Sequence, residues 1–269
     1  MHPSDPSPPV RGQARRHSRA ASAPLGRRGT GAQVLVVVGA RGGVGASTLA
    51  ALLAARLARS AGCVALMDLD HGAGGLEVLL GIEEVPGVRW ADLEGVRGAL
   101  APADLDGVLP RWCGVEVLGP DRRAGAPDVA VVSAVTAALV DRCTTVVVDL
   151  PAHTLLTDVG TATGRAAPVL AGRSDLLVLA GQDVLGVAGA LALRAALDSG
   201  PAQLVLRRRR AARVAPLEAA HLLDLPLAGL LPTDRRLADA TDRGFGPVIG
   251  RWSALGRAVR RLAEAVADG

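Results

Sequence analysis

The stretch from Val34 to Ala50 limits the possible folds more than any other part of the sequence. Val34-Leu35-Val36-Val37-Val38 is uninterrupted apolar sequence, Gly39-Ala40-Arg41-Gly42-Gly43-Val44-Gly45 follows, and Ala46-Ser47-Thr48-Leu49-Ala50 opens a helical pattern. An apolar run without polar alternation suits a strand buried on both faces, which in turn implies a parallel sheet covered by helices. Gly42, Gly43 and Gly45 let the turn after it curl with its N–H groups inward. The N-terminus of the next helix adds partial positive charge. Such a turn is shaped for a phosphate chain.

Aligned with the phosphate-binding pattern G-x-x-x-x-G-K-[ST], Gly45 and Ser47 match, Ser47 at the magnesium-binding hydroxyl. Ala40 replaces the first glycine and Ala46 replaces the lysine. All 30 basic residues are arginine, so no lysine elsewhere in the sequence can take that place. The candidate phosphate-binding segment is therefore Gly42, Gly43, Val44, Gly45, Ala46, Ser47 and Thr48, with Arg41 as its only cation.

The rest of the chain alternates strand and helix. Thr48–Ser60 reads as a helix with Leu49, Leu52, Leu53 and Leu57 on one face, stopped by Gly62. Strand Cys63–Met67 ends in Asp68-Leu69-Asp70, two carboxylates at the edge where an open α/β sheet binds ligands. Residues 82–112 read as short helices and loops, including Val88–Leu93. Strand Val115–Leu118, helix Asp128–Asp141 and strand Thr144–Val148 follow. The last of these delivers Asp149-Leu150-Pro151, where a buried strand presents one carboxylate toward a metal's outer shell or, alternatively, the aspartate caps the next turn. Strands Leu176–Ala180, Ala202–Leu206 and Leu227–Leu231 are separated by helices Val184–Leu197 and Pro216–Leu223. Helices near Asp234–Asp242 and over Trp252–Ala267 finish the chain. Strands joined by helical crossovers predict a doubly wound, mostly parallel sheet with helices on both faces. With 49% hydrophobic residues and 1% aromatics, its core must be packed from Ala, Val and Leu.

The Arg41-Gly42-Gly43-Val44-Gly45-Ala46-Ser47-Thr48 loop, the Asp68-x-Asp70 pair and Asp149-x-Pro151 together resemble the MinD/ParA group of P-loop ATPases. The loop is most similar to the CpaE/TadZ-like branch, which includes actinobacterial proteins labelled septum site-determining. Gly74–Gly81 runs like that group's sequence at the same point. The resemblance implies ATP and Mg2+ as ligands. It makes Ser47, Asp68 and Asp149 the metal-side residues, Asp70 the water-orienting carboxylate, and Arg41 the stand-in for the signature lysine, acting within its own subunit or across a sandwich dimer. Losing the loop lysine removes a phosphate clamp, and an electrostatic contact of this kind is worth about 10²–10³ in rate. Slow or absent hydrolysis is expected, with ATP as a dimerisation switch. The implied role is positioning a Tad/Flp pilus, a secretion ATPase or the division septum. The alternative is an active ParA/MinD-type ATPase that partitions DNA or division machinery.

One departure concerns the base. In MinD-like proteins the strand at Leu204–Leu206 runs into an adenine-reading asparagine, whereas here Arg207-Arg208-Arg209-Arg210 follows. These arginines, with Arg213, read either as a solvated loop or as a contact for DNA or an acidic partner. His153 reads either as polar surface or as a phosphate neighbour. The apolar stripe Trp252, Leu255, Val259, Leu262 and Val266 fits packing on the sheet or an amphipathic membrane anchor.

Charge is concentrated at one end. Residues 1–32 hold six arginines against Asp5, and they account for the formal net charge of +4 and the basic isoelectric point. This Pro/Ser/Arg-rich segment is expected to be a disordered tail, either solvated leader or an arm for nucleic acid or anionic lipid, ahead of a P-loop domain over 33–269. Cys63, Cys113 and Cys143 lack metal-ligand spacing and read as isolated thiols of a reducing compartment, not as a disulfide framework. No transmembrane run or signal peptide is apparent, so the expected location is cytoplasmic, with recruitment to the pole, septum or inner membrane face.

Overall fold

The computed structural model describes residues 32–60, 62–71, 74–121, 123, 127–156, 175–197, 202–209, 212 and 214–268. The N-terminal tail through residue 31, Arg210 and Arg213 lie outside the described residues. In chain order the elements are β1 (Gln33–Gly39), α1 (Ala46–Leu57), β2 (Val64–Asp68), α2 (Gly75–Leu80), β3 (Arg111–Trp112), β4 (Val115–Leu118), α3 (Val129–Arg142) and β5 (Thr145–Leu150). They continue with α4 (His153–Leu156), β6 (Asp175–Gly181), α5 (Val184–Ala196), β7 (Ala202–Arg207), α6 (Pro216–Leu223), β8 (Leu227–Leu231), α7 (Arg235–Asp242) and α8 (Ala254–Asp268). Single 3₁₀ turns occupy Trp90–Leu93 and Pro102–Leu105.

The strands form one eight-stranded sheet in the order β3-β4-β2-β5-β1-β6-β7-β8. Neighbours are parallel except the β3–β4 edge pair. Successive side chains of a strand face opposite sides, and here both sides are apolar. Val34, Val36 and Val38 of β1 face α3, α5 and α6. Leu35 and Val37 face α1 and α8. The doubly wound sheet expected from the sequence is therefore what forms, and it puts the C-terminal ends of β1, β2 and β5 side by side.

Three expectations need correction. The 82–112 region does not end as loop: Arg111 and Trp112 form an edge strand paired antiparallel with Glu116 and Val115. Cys113 and Gly114 turn the chain between them with φ of 49° and 84°, as a two-residue turn with both central residues at positive φ requires. Trp252 does not belong to the C-terminal stripe. It precedes α8, is 69% exposed and carries Arg251 stacked 4.9 Å above its ring, while Leu255, Val259, Leu262 and Val266 are buried. The stripe of α8 is thus used in packing against α1, with Arg56 and Glu264 paired 3.6 Å apart above the contact. Finally, Cys63 and Cys143 are not isolated: the fold brings them together in a disulfide, leaving Cys113 as an exposed free thiol. Among the described residues no helix is long and apolar enough to cross a membrane.

Candidate functional site

The site is built where β1, β2 and β5 end. Asp68 of β2 is the register partner of Asp149 of β5, and Asp149 pairs on its other side with Val37 of β1. The parallel pairing puts two aspartates from distant sequence next to each other at the sheet edge. The loop leaving β1 is anchored by Ala40 N–H, which donates to the Leu179 carbonyl at 2.8 Å. Gly45 then caps α1 at φ 99°, a conformation that L side chains resist. The first intrahelical bond of α1 runs from Leu49 N–H to the Gly45 carbonyl at 3.0 Å. The amides at the start of α1 therefore have no intrahelical partner, and they belong to residues that line the cleft, as an anion cradle requires.

That cleft measures about 740 Å³, and Gly42, Gly43, Val44, Gly45, Ala46, Ser47 and Thr48 all line it. Asp68, Asp70, Asp149 and Arg41 line it too, as does His153 from α4. The residues that the sequence singled out for the phosphates, the metal and the attacking water are therefore gathered around one cavity.

The carboxylates sit in an unusual electrostatic state. Asp68 is buried, and that burial together with the charge of Asp149 pushes its pKa up to about 7. The N–H groups of Asp70 and Leu76 donate to its two oxygens at 2.8 and 2.7 Å and oppose the shift. Burial raises Asp149 to about 6, against a hydrogen bond donated by the Ser47 hydroxyl. Among the described residues neither carboxylate has a guanidinium within ion-pair distance. Two buried acids beside a hydroxyl, without a protein cation, are a donor set that fits a hard divalent ion such as Mg2+.

The arginines stand around this centre without entering it. Arg41 Nη2 lies 3.8 Å from Asp183 Oδ2, and Arg209 Nε lies 2.7 Å from the same oxygen. Asp183 also caps α5 by accepting from Gly186 N–H at 2.8 Å. The Arg41 Nε is buried with no hydrogen-bond partner among the described residues. The arginine run is divided by the fold: Arg207 turns inward and donates from Nη1 to the Val44 carbonyl at 3.0 Å, whereas Arg208 is exposed.

Two supporting roles escaped the sequence reading, that of Arg207, read only as part of the arginine run, and that of Trp90. Arg207 braces the loop from 163 residues away, and Trp90 fixes the end of β2 by donating from Nε1 to the Asp68 carbonyl at 2.8 Å. Arg207 is the last residue of β7, paired in register with Gly181 of β6, so strand alternation was the one available signal. For Trp90 nothing local in the sequence pointed to Asp68.

Comparison with known proteins agrees with this geometry. No family model matches the chain. It is 36% identical over 232 residues to an uncharacterised protein of Mycobacterium tuberculosis, covering 85% of this chain but 62% of that protein, so it spans about three fifths of the relative's length. It is 28% identical over 246 residues to the septum site-determining protein MinD of Synechocystis, covering 86% of this chain and 88% of that one. Among solved structures, a ParA family ATPase from Chlorobium tepidum superposes with a TM-score of 0.71 at 17% identity, covering 87% of this chain and 98% of the other. MinD of Pyrococcus horikoshii, solved with Mg-ADP, superposes at 0.64 with 21% identity, covering 87% and 96%. The order of strands, the loop after β1 and these superpositions lead to one conclusion: the chain has the MinD/ParA-type P-loop ATPase fold.

Proposed function

We propose that this chain is a MinD/ParA-like positioning factor that binds ATP with Mg2+ as a conformational and dimerisation switch and hydrolyses it slowly or not at all. One observation carries the reading: a glycine loop and two buried aspartates, which among the described residues have no guanidinium within ion-pair distance, line a single cleft. In this reading the amides of Gly42–Thr48 hold the phosphates, and Ser47, Asp68 and Asp149 hold the metal. Bound there, Mg2+ would neutralise phosphate charge. Asp70, which lines the same cleft, orients water. Arg41 leaves Asp183 for the phosphates of its own subunit or of a second copy, and Arg209 keeps Asp183 paired when it does.

Ala46 explains why turnover should be poor. The lysine of a P-loop stabilises charge that develops on the transferred phosphoryl group, so its absence weakens the transition state more than the bound state. A titration with ATP, ADP and GTP, each with Mg2+, combined with an ATPase assay, tests the proposal. Binding of ATP with little turnover is expected, and Ala46→Lys should raise turnover by about 10²-fold. Absence of nucleotide binding would overturn it. The assembly positioned is, in this proposal, a pilus or secretion ATPase or the division septum. The competing reading, a fully active partitioning ATPase, draws on Asp68, Asp70 and Asp149 all lining the cleft. Robust wild-type turnover abolished by Asp70→Ala would decide for it.

A further inference from the structure

At the opposite end of β2 and β5 lies a second cluster that the nucleotide reading does not use. Cys63 directly precedes β2 and Cys143 stands two residues ahead of β5, and Thr144, between Cys143 and the strand, ties the two strand starts together by donating both its N–H and its hydroxyl to the Cys63 carbonyl at 2.8 Å. The two cysteine Cα atoms are 4.4 Å apart, within the range a disulfide spans, and the sulfurs are bonded. The Glu116 carboxylate reaches the same point, its Oε2 3.9 Å from Cys63 Sγ.

We propose that Cys63 and Cys143 form a redox-active dithiol site whose substrate is a low-molecular-weight disulfide. Access is asymmetric. Cys63 is half-buried and open to a small reagent, while Cys143 is buried and suited to the resolving role. The carboxylate beside Cys63 is already held by the protein: Arg142 binds both oxygens of Glu116, and Arg111 Nη2 holds Oε1 at 2.8 Å. The same occupancy argues against a metal in the cluster, since Glu116 has no oxygen free of arginine and only two sulfurs remain as ligands.

The exchange balances without any bound cofactor. The Cys63 thiolate attacks one sulfur of the disulfide RSSR, forming a mixed disulfide and releasing one RS⁻. Cys143, having lost its proton, attacks the Cys63 sulfur and expels the second RS⁻. Two protein thiols are oxidised, RSSR is reduced to two RSH, and the two thiol protons end on the released thiols. The product ties together the two strands that carry Asp68 and Asp149 at their far ends, and it closes a loop of 80 residues.

The test uses the full chain with Cys113→Ser, so that the exposed third thiol does not cross-link. The protein is equilibrated with oxidised or reduced glutathione, alkylated and weighed, and its Tm is recorded. Oxidised glutathione should remove two hydrogens, block Cys63 and Cys143 together and raise Tm by on the order of 10 °C, and reduced glutathione should reverse all three. With Cys63→Ser, Cys143 should stay unmodified and Tm should ignore the redox buffer. Separate glutathione adducts on Cys63 and Cys143 would overturn the proposal. So would a disulfide that reduced glutathione cannot open, or stoichiometric binding of Zn2+ alone that shields both thiols in the reduced chain. These readouts follow sulfur chemistry, so their failure is distinguishable from failure of nucleotide binding.

Discussion

The two ends of the sheet around β2 and β5 each hold carboxylates with little solvent exposure and treat them in opposite ways. At the starting end, burial raises the pKa of Glu116, but hydrogen bonds from Arg142 and Arg111 outweigh it and leave the carboxyl below its ordinary value. At the finishing end, Asp68 and Asp149 receive main-chain N–H and hydroxyl donors but, among the described residues, no guanidinium, and their values rise to about 7 and about 6. Burial alone therefore does not define a site. What distinguishes the finishing end is a charge deficit that the protein leaves for something else to fill, whereas Glu116 is completed by its own chain and serves the sheet edge.

The largest effect expected from this contrast is at Arg142. Arg142→Ala leaves Glu116 buried with only the more exposed Arg111, and breaking a buried pair from one side costs about 3–5 kcal/mol. Urea unfolding should show that loss, and Arg142→Ala combined with Glu116→Leu should recover most of it. A single variant that unfolds like the wild type would erase the distinction between the two ends.

At Asp68 the sign should reverse. Its folded pKa lies near 7 and its unfolded value near 3.8. Between those values the folded state holds a proton that the unfolded state has lost, so stability contributed by this group falls as pH rises from about 4 to 7 and stays lost above it. Asp149 behaves alike over a window that ends near 6. Asp68→Asn keeps an oxygen acceptor and never ionises. It should therefore stabilise the protein at pH 8 by about 1–3 kcal/mol, with a smaller gain at pH 5. Thermal unfolding across that range reads the difference, and Mg2+ with ATP should close it for the wild type at the alkaline end. A variant that is destabilised equally at both pH values would mean that Asp68 is a structural acceptor, not an uncompensated charge.

How much of this was legible in the sequence follows from how far apart the partners lie. The strand, loop and helix from Gln33 to Leu57 are contiguous, so apolar run, glycines and Ser47 could be read together. Asp68 and Asp149 were each visible as the acidic end of an apolar strand, and parallel pairing does the rest. The cysteine pair, 80 residues apart, depends on which strands become neighbours, information that no local period carries. Spacing rules therefore treated Cys63 and Cys143 as isolated. Trp252 failed for a different reason: an apolar residue at helical spacing extends a stripe on paper, but the helix begins at Ala254, after the chain has turned.

The smallest effect tests whether the aspartate end truly has no cation of its own. Arg207 is the obvious objection, since it sits against the loop, but its hydrogen bond goes to the Val44 carbonyl and not to an acid. Arg207→Ala should then cost about 1 kcal/mol, one partly exposed hydrogen bond. It should leave the pH dependence set by Asp68 and Asp149 where it was. Arg207→Gln keeps a donor and drops the charge, so ATP affinity in that variant separates bracing from electrostatics. If bracing is the role, Arg207→Gln should bind ATP nearly as the wild type does while Arg207→Ala binds several-fold more weakly. An extension of the alkaline destabilisation toward higher pH in both variants would show that Arg207 was screening the carboxylates after all, and the two ends of the sheet would differ in degree only.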